Sequence, residues 1–396
     1  AQISFLLLRW LSQPTSLPSN AAPEYKVYYG YLHAHTGVSD GDGTPEEAYL
    51  QAKEAGLDFF GISDHDYYPD HMKDSDWRRI NAAADSLNQD GDFTTLVGFE
   101  WTSDEWKRVA RRQLITKNSM KSACNSLVQK ECENTSETCE WSNEMGCLEW
   151  VPGHNYGHFT VVGTPSWCNA EQESCDTLED FEEWLDSQPS GVAIFNHPGQ
   201  YRSNAWNQFK FPKTDRIVGM ELWNRDKDYY TQKASDGEYY YDDALRKGWR
   251  IGAGGGQDNH SDNWGIRNRH RMAILATELS RSGIMEALEA RRFYSTLIDK
   301  VDISFQCNGE EMGSVLPAGE HSCYFNVNSG HGFSWFEVIK NGRVSESIPI
   351  RRKRDFPLTI DISTDVDDYI YGVLWRGDDW EVVTSPFWFS DETEES

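Results

Sequence analysis

Histidine and carboxylate residues recur in this sequence in a pattern that is typical of metal ligands. The clearest example is His33-Ala34-His35, which is followed at short distance by Ser39-Asp40-Gly41. In an extended segment, residues i and i+2 point to the same side, so both histidines can bind one cation. Asp40 follows a turn and can reach a second cation. A lone His-x-His is weak evidence, but this continuation makes the motif much more specific.

Similar residues follow several other short apolar segments. The complete set of candidate ligands is His33, His35, Asp40, His65, Glu100, His158, His197, Asp258 and His260. Nine nitrogen and oxygen donors are enough for two to three cations with positions left for water. Imidazole combined with carboxylate suits Zn, Mn or Fe and fits Ca or Mg poorly. Any one of these histidines alone is better interpreted as a core residue, but their joint placement argues against that interpretation for the set.

The elements that must position these residues alternate between strand and helix. Thr44-Pro45-Glu46-Glu47 is a capping box with proline at the first helical position, and Gly56 can end the helix. The apolar segment 57–62 then runs into His65. This alternation continues to about residue 298 and predicts βα units with a largely parallel sheet. Because sites in such folds collect at the carboxyl ends of strands, a barrel would bring the candidate ligands together at one mouth.

Residues 103–176 interrupt the alternation and predict a disulfide-pinned insertion over that mouth. Six of the eight cysteines lie between 124 and 175, and none belongs to a Cys-x-x-Cys pair. An even number without zinc-ribbon spacing favours disulfides, and hence secretion. The sequon Asn134-Thr135-Ser136 agrees with secretion. Tryptophans at 101, 106, 141 and 150 are interpreted as a local core, with a substrate-facing wall as the alternative.

The residue pattern differs at the two ends of the chain, outside the region of alternating strands and helices. Residues 1–24 are expected to be a leader, and the apolar run at 3–8 could be the remnant of a signal peptide. After residue 298 the apolar residues alternate strictly, and Asn341-Gly342 is a strong hairpin signal. Residues 299–396 should therefore form an antiparallel β-sandwich, stapled by Cys307 and Cys323.

Length and charge limit the classes of function. A chain of 396 residues fits two domains, here 25–298 and 299–396. The formal net charge of −27 argues against a nucleic acid duplex or an anionic membrane as the main partner. A small anionic substrate stays compatible, because bound cations can reverse the local field. The sequence contains no apolar run of about 18 residues, so no membrane span is expected.

Residues 28–298 resemble the polymerase-and-histidinol-phosphatase (PHP) superfamily of metal-dependent phosphoesterases. Five separated motifs occur in the order found in that family. They are His33-x-His35 with Ser39-Asp40-Gly41, Ser63-Asp64-His65, Gly98-Phe99-Glu100, Asn196-His197-Pro198 and Asp258-x-His260. The resemblance implies an α/β fold, an irregular (β/α)7 barrel with a metal cluster at its mouth, here followed by the β-sandwich.

The resemblance also implies three ligand sets. The first cation would be held by His33, His35, Glu100 and Asp258. The second would be held by Glu100, His158 and His197, with Glu100 bridging. The third would be held by Asp40, His65 and His260. His154 competes with His158 for its place, and His158 is favoured because His158-Phe159-Thr160 resembles the family's motif.

These features predict a secreted metal-dependent hydrolase acting on a small anionic ester, most simply a phosphoesterase or phosphodiesterase. A water bridging two cations would supply hydroxide at neutral pH, with Glu100, Asp258 and His197 as the catalytic candidates. Asp64 could orient a ligand or cap the turn, and Arg202, Arg225 and Arg267 could bind a phosphate. Two alternatives stay open: a carboxyl or carbamate ester hydrolase on the same site, and an extracellular structural or adhesive protein that keeps the metal and self-assembles through its β-sandwich.

Overall fold

The protein has a mixed α/β fold in which strands outnumber helices. A computed structural model describes residues 24–67, 72–103, 106–109, 132, 139–142, 146–152, 154, 156–199, 205–234 and 237–391. The helices in these ranges are α1 (Pro45–Glu54), α2 (Asp74–Leu87), α3 (Leu178–Ser187), α4 (Tyr240–Arg246) and α5 (Arg281–Glu289), with a 3-10 helix at Ala205–Phe209.

Among the described residues, thirteen strands precede residue 298. They are β1 (Lys26–Tyr31), β2 (Phe59–Ile62), β3 (Thr94–Ser103), β4 (Trp106–Val109), β5 (Cys139–Ser142), β6 (Gly146–Pro152), β7 (Gly157–Val162), β8 (Val192–Phe195), β9 (Ile217–Asn224), β10 (Lys227–Asp228), β11 (Gly252–Gly256), β12 (Arg271–Ala276) and β13 (Phe293–Thr296).

Ten strands follow. They are β14 (Val301–Cys307), β15 (Glu310–Glu311), β16 (Val315–Pro317), β17 (Gly319–Ser329), β18 (Trp335–Lys340), β19 (Arg343–Pro349), β20 (Phe356–Thr364), β21 (Tyr369–Arg376), β22 (Asp379–Thr384) and β23 (Phe387–Ser390).

The first βα units form as the sequence predicts. The hydroxyl of Thr44 accepts a hydrogen bond from the backbone of Glu47, and the Glu47 carboxylate accepts one from the backbone of Thr44. This capping box begins α1, whose buried face contains Ala48 and Ala52. The helix α1 connects β1 to β2, and α2 connects β2 to β3. All three strands are parallel neighbours, so their carboxyl ends lie at the same edge.

The expectation of a largely parallel sheet is wrong after β3. The strand β7 runs antiparallel to both of its neighbours, β3 and β8. The chain between β3 and β7 contains β4, β5 and β6, which form a separate antiparallel sheet. A parallel neighbour would require a crossover connection, usually a helix, and this insertion instead returns the chain in the opposite direction. Parallel pairing resumes from β8 to β9 and from β9 to β11.

The chain beyond β1 is joined to the chain beyond β11. Asp258 donates a backbone hydrogen bond to the carbonyl of His33 over 2.9 Å. His35 donates one to the carbonyl of Asn259, also over 2.9 Å. The residues before 298 are called the first region. The segments at its two ends that carry candidate ligands are therefore neighbours in space.

Residues after 298 form two sheets that pack through aromatic side chains. One sheet has the order β15-β14-β17-β20, and β21, β18 and β19 extend the other. The rings of Phe325 and Phe336, one from each sheet, stack with centroids 4.0 Å apart. Asn341 and Gly342 both have positive φ, as the predicted hairpin turn between β18 and β19 requires. The arrangement is compatible with the predicted β-sandwich.

The sheet does not stop at the expected domain boundary. The strand β13 pairs with β22, so one sheet continues from the first region into the second. The side chain of Asp242 in α4 lies 3.1 Å from the hydroxyls of both Tyr369 and Tyr371 in β21. Burial raises the pKa of Asp242 despite these two hydrogen bonds. The division into two domains at residue 298 stays a prediction.

The structure contains two complete disulfides among the described residues. Cys307 is joined to Cys323, as predicted, and Cys168 is joined to Cys175. Cys132 and Cys139 each take part in a disulfide as well, and no described cysteine is free. None of the described helices has the length and apolar character needed to cross a bilayer. The expected leader, the sequon at Asn134, Arg202 and most of the insertion lie outside the described residues.

The bond between Cys307 and Cys323 joins the neighbouring strands β14 and β17 and spans 16 residues of sequence. Closing a loop of this size in the unfolded chain contributes about 3 kcal/mol. We expect Cys307→Ser combined with Cys323→Ser to lower the thermal melting temperature. Calorimetry of both proteins measures the shift, and the wild type under reducing conditions should approach the variant. An unchanged melting temperature would contradict the prediction.

Candidate metal centre

All nine candidate ligands come together where the strands of the first region end. His33 and His35 follow β1, and His65 follows β2. Glu100 lies within β3, and His158 lies within β7. His197 follows β8, and Asp258 and His260 follow β11. Asp40 comes from the turn that precedes α1. Most of these side chains are buried, and Asp40, His65 and His260 are partly exposed.

The carboxylate of Glu100 lies at the centre of the cluster. Five histidine side chains place a ring nitrogen within 3.0–3.3 Å of one of its oxygens: His33, His35, His65, His158 and His197. The amide of Asn196 also donates to Glu100 Oε1 over 2.7 Å. Glu100 is only 1% exposed, so its charge is compensated almost entirely by these neighbours.

Three groups of described side chains could each hold a metal ion. The first contains His33, His35 and Asp258; the second contains His33, Glu100 and His197; the third contains His35, Asp40, His65 and His260. Within each group the donor atoms lie within 4.8 Å of one another. The first and second groups share His33, and the first and third groups share His35. Neighbouring cations would therefore lie close together.

The spacing of the donors in the first group fits a single cation. Nε2 of His33 and Nε2 of His35 are 3.3 Å apart. Oδ1 of Asp258 lies 3.7 Å from the first nitrogen and 3.2 Å from the second. Ligands held tetrahedrally at about 2.0–2.2 Å from zinc lie about 3.3–3.6 Å from one another. The residues therefore suit a divalent transition metal, and their role as ligands stays a prediction.

Each predicted ligand set differs by one member from the group that the structure assembles: the first group lacks Glu100, the third also contains His35, and the second contains His33 and not His158. His33 joins Glu100 and His197 in the second group, whereas the expected third member was His158. His158 still contacts the cluster, because its Nδ1 lies 3.0 Å from Glu100 Oε1. The competing His154 is exposed and stacks on Tyr156. The geometry thus favours His158 over His154 as the neighbour of Glu100.

Asp64 holds the turn that carries Asp40. Its carboxylate accepts hydrogen bonds from the backbone and hydroxyl of Thr36, each over 2.7 Å, and from the hydroxyl of Ser39 over 2.6 Å. Of the two roles considered for Asp64, capping of the turn is therefore the one that the contacts support. Asp40 lies just beyond, with Oδ2 3.2 Å from Nε2 of His260.

Three residues at the centre have backbone conformations that are uncommon outside glycine. The φ angle is +30° at His197, +54° at Arg225 and +46° at Asp258. Non-glycine residues in this region cost of order 1–3 kcal/mol and persist only where the surroundings hold them. Such strain clusters at functional sites, which agrees with a role for this centre.

The acids of the cluster are held in their charged form. Burial alone would raise the pKa of Glu100, but the neighbouring histidines, with His33 first, hold it well below its usual range. Burial would likewise raise the pKa of Asp258, and His33 and His35 hold it well below its usual range. Both side chains are therefore ready to bind a cation at neutral pH.

The pKa values of three histidines in the cluster are shifted in different directions. Burial would lower the pKa of His33, but Glu100, Glu221 and Asp258 raise it well above its usual range. Burial is outweighed in the same way at His35, where hydrogen bonds to Asp258 and Glu100 raise the pKa to about 9. At His65, burial and the neighbouring His35 lower the pKa to about 3. In the metal-free protein at pH 7, His33 and His35 therefore carry protons and His65 does not.

The sequence patterns did not indicate Glu221, a buried carboxylate in β9. Its Oε1 lies 2.9 Å from Nδ1 of His33, and its Oε2 accepts the backbone N–H of His197 over 2.7 Å. Glu221 occupies an apolar run, as Glu100 does, so the same strand pattern could have revealed it. The flanking Met220 and Leu222 hid it, because the apolar run continues past the carboxylate.

The two described arginine candidates have different surroundings. Nη2 of Arg225 lies 3.0 Å from Oδ1 of Asp258, and its Nε donates to the carbonyl of Asp258 over 2.9 Å. Its side chain is 38% exposed, so one face is open to solvent. Arg267 instead pairs with Asp226 over 2.7 Å at the surface. Only Arg225 borders the cluster among these two.

Comparison with known proteins gives matches to proteins of undetermined function. A family model described as a protein of unknown function (DUF3604) matches residues 59–146. An uncharacterized protein of Chlamydia pneumoniae is 23% identical over 91% of this chain and 53% of its own length. One from Chlamydia muridarum is 22% identical over 83% of this chain and 50% of its own length. The chain therefore spans about half the length of these curated relatives.

Two solved structures resemble the chain loosely. One is a two-domain protein from Bacteroides vulgatus that contains a predicted PHP-like metal-dependent phosphoesterase, with a TM-score of 0.43 and 14% identity over 91% of this chain and 95% of that chain. The other is a proposed metal-dependent phosphoesterase from Bifidobacterium adolescentis, with a TM-score of 0.26 and 13% identity over 58% of this chain and 87% of that chain. These TM-scores are too low to establish a common fold.

The pKa values of His33 and His35 predict that cation binding releases protons. A histidine must be neutral to bind a metal, so both rings should lose a proton at pH 7. We expect zinc added to the metal-free protein to release about two protons from them. Calorimetry in two buffers of different ionisation enthalpy measures this number.

The number of protons released should fall as the pH approaches 9, because the pKa of His35 is about 9. His331→Asn is the control, because His331 lies beside Asp299 in the C-terminal region. Heats of binding that are the same in both buffers would show that His33 and His35 are already neutral.

Proposed function

We propose that the chain is a secreted metal-dependent hydrolase that acts on phosphate esters. The observation that supports this most strongly is the convergence of nine candidate ligand side chains, one of which is the buried carboxylate of Glu100 at their centre. A buried carboxylate surrounded by so many titratable side chains is typical of a functional site. The disulfides support the extracellular location, because they persist in oxidising compartments.

The fold and the ligand sets belong to the same proposal. The strands β1, β2, β3, β7, β8, β9 and β11 would form an irregular seven-stranded barrel, closed by the hydrogen bonds between residues 33–35 and 258–259. The region after residue 298 would be a β-sandwich domain. Two to three cations, of Zn, Mn or Fe, would be held by the three groups of side chains at the mouth.

Such cations, when bound, would contribute to hydrolysis in two ways. They would lower the pKa of water towards neutrality, and they would stabilise negative charge on phosphoryl oxygens. The residues of the chain fix the geometry in which this can happen. Glu100 and Asp258 each place carboxylate oxygens 3.2–3.7 Å from Nε2 of both His33 and His35. Their low pKa values keep both oxygens free of protons, and so available as ligands, at pH 7.

Arg225 would give the site its preference for an anionic substrate. Its guanidinium group borders the cluster beside Asp258 and remains partly exposed. An arginine at that position can donate two parallel hydrogen bonds to a phosphate. This local positive charge is notable in a chain with a net charge of −27, because the remaining surface would repel an anion.

Glu100→Gln tests the proposal, because glutamine keeps the size of the side chain and removes the charge shared by five histidines. We expect kcat/KM on a generic aryl phosphodiester to fall by about a thousandfold, which corresponds to about 4 kcal/mol of transition-state stabilisation. Hydrolysis is measured with wild type and variant after loading with Mn²⁺ or Zn²⁺. Aryl phosphomonoesters and carboxyl esters are assayed in parallel to define the substrate class.

Glu311→Gln is the matched control. Glu311 is a buried carboxylate in β15 whose Oε1 accepts a hydrogen bond from Gln306 over 2.5 Å, far along the chain from the cluster. This variant should keep the activity of the wild type. Full activity of Glu100→Gln would reject the proposed site. Activity on carboxyl esters alone would keep the site and change the substrate, and a metal-loaded wild type that is inactive on all three would favour a structural role.

A further inference from the structure

Glu221 contacts two different candidate ligands through its two carboxylate oxygens. Oε1 lies 2.9 Å from the ring nitrogen Nδ1 of His33. Oε2 accepts the backbone N–H of His197 over 2.7 Å and the side-chain amide of Asn224 over 3.0 Å. The residue is 1% exposed and is absent from all three groups of donors that could hold a cation. It is therefore placed to act through other residues.

We propose that Glu221 is a positioning residue that couples the first two cation groups, an inference that rests on the proposed metal-dependent function. A carboxylate can only accept hydrogen bonds, so the contact with Oε1 requires a proton on Nδ1 of His33. The lone pair of the neutral ring then lies on Nε2. That atom faces His35, Glu100 and Asp258, where the cations would be held.

The second oxygen holds His197 in a conformation that the residue would not adopt alone. The φ angle of His197 is +30°, and its backbone N–H points to Oε2 of Glu221. From this position Nε2 of His197 lies 3.2 Å from Oε1 of Glu100. One carboxylate thus sets the tautomer of His33 and the backbone of His197, and both residues belong to the second group.

The glycine at 256 makes room for this contact. A methyl group built on Gly256 would lie 2.1 Å from Oε1 of Glu221 and 2.6 Å from Cβ of His33. Both distances are too short for any side chain, so β11 must carry glycine where Glu221 approaches His33. Gly256→Ala therefore gives a second, independent way to disturb the same contact without changing either residue.

The first experiment measures the tautomer of His33 in the wild type. The protein is labelled with ¹⁵N in histidine and loaded with Zn²⁺, and the His33 signals are assigned by their loss in His33→Asn. We expect the proton on Nδ1 and the metal on Nε2. A proton on Nε2 would overturn the inference, and this outcome does not depend on whether any Glu221 variant folds.

The second experiment measures zinc affinity by competition with a chromophoric chelator. Glutamine at 221 has one acceptor oxygen and cannot accept from both His33 and His197, so Glu221→Gln should weaken zinc binding about 10–100-fold. Gly256→Ala should weaken it in the same direction, and Glu311→Gln should leave it unchanged. Wild-type affinity in both Glu221→Gln and Gly256→Ala would overturn the inference. A wild type that binds no divalent cation would reject the proposed function, and the inference with it.

Discussion

The compensation of one buried negative charge is the constraint on which the rest of the structure depends. Glu100 has almost no contact with solvent, and a carboxylate in such a position must be matched by donors or cations. The donors around it come from the ends of β1, β2, β7 and β8. Four separate segments can meet one carboxylate only if the strands that carry or precede them lie in one sheet. The charge of Glu100 and the order of the sheet therefore require each other.

This requirement also explains where the backbone departs from ordinary conformations. His197 and Asp258 have positive φ, and β11 contains three consecutive glycines, 254–256. A methyl group on Gly255 would lie 2.2 Å from the indole of Trp223, as one on Gly256 would meet Glu221. Side chains of β9 thus approach the backbone of β11 so closely that only glycine fits at positions 255 and 256. The strained turns and the glycines are two consequences of packing many ligands into one small volume.

The sequence predicted which candidate ligands come together better than it predicted the sheet. His33, His35 and Glu100 follow or end short apolar segments, and this local pattern, together with the resemblance of the motifs to the PHP superfamily, identified the set that the structure brings together. The antiparallel direction of β7 could not be predicted in the same way, because hydrophobic spacing carries no information on strand direction. Glu221 was missed although it contacts two of the ligands, since the apolar residues on both sides of it read as an uninterrupted buried strand. The fold of the first region was thus predicted only in part.

The C-terminal region contributes to the site through β11, the strand that precedes Asp258 and His260. On one side, β11 pairs with the strand β9. On its other side, the hydroxyl of Ser385 takes the place of a hydrogen-bonding strand. The hydroxyl of Ser385 accepts the backbone N–H of Ala253 over 3.2 Å and donates to the carbonyl of Phe293 over 2.6 Å. One residue between β22 and β23 therefore links β11 to β13. Because a buried N–H without an acceptor costs about 1–3 kcal/mol, the C-terminal region helps to fix the register of the strand that positions Asp258.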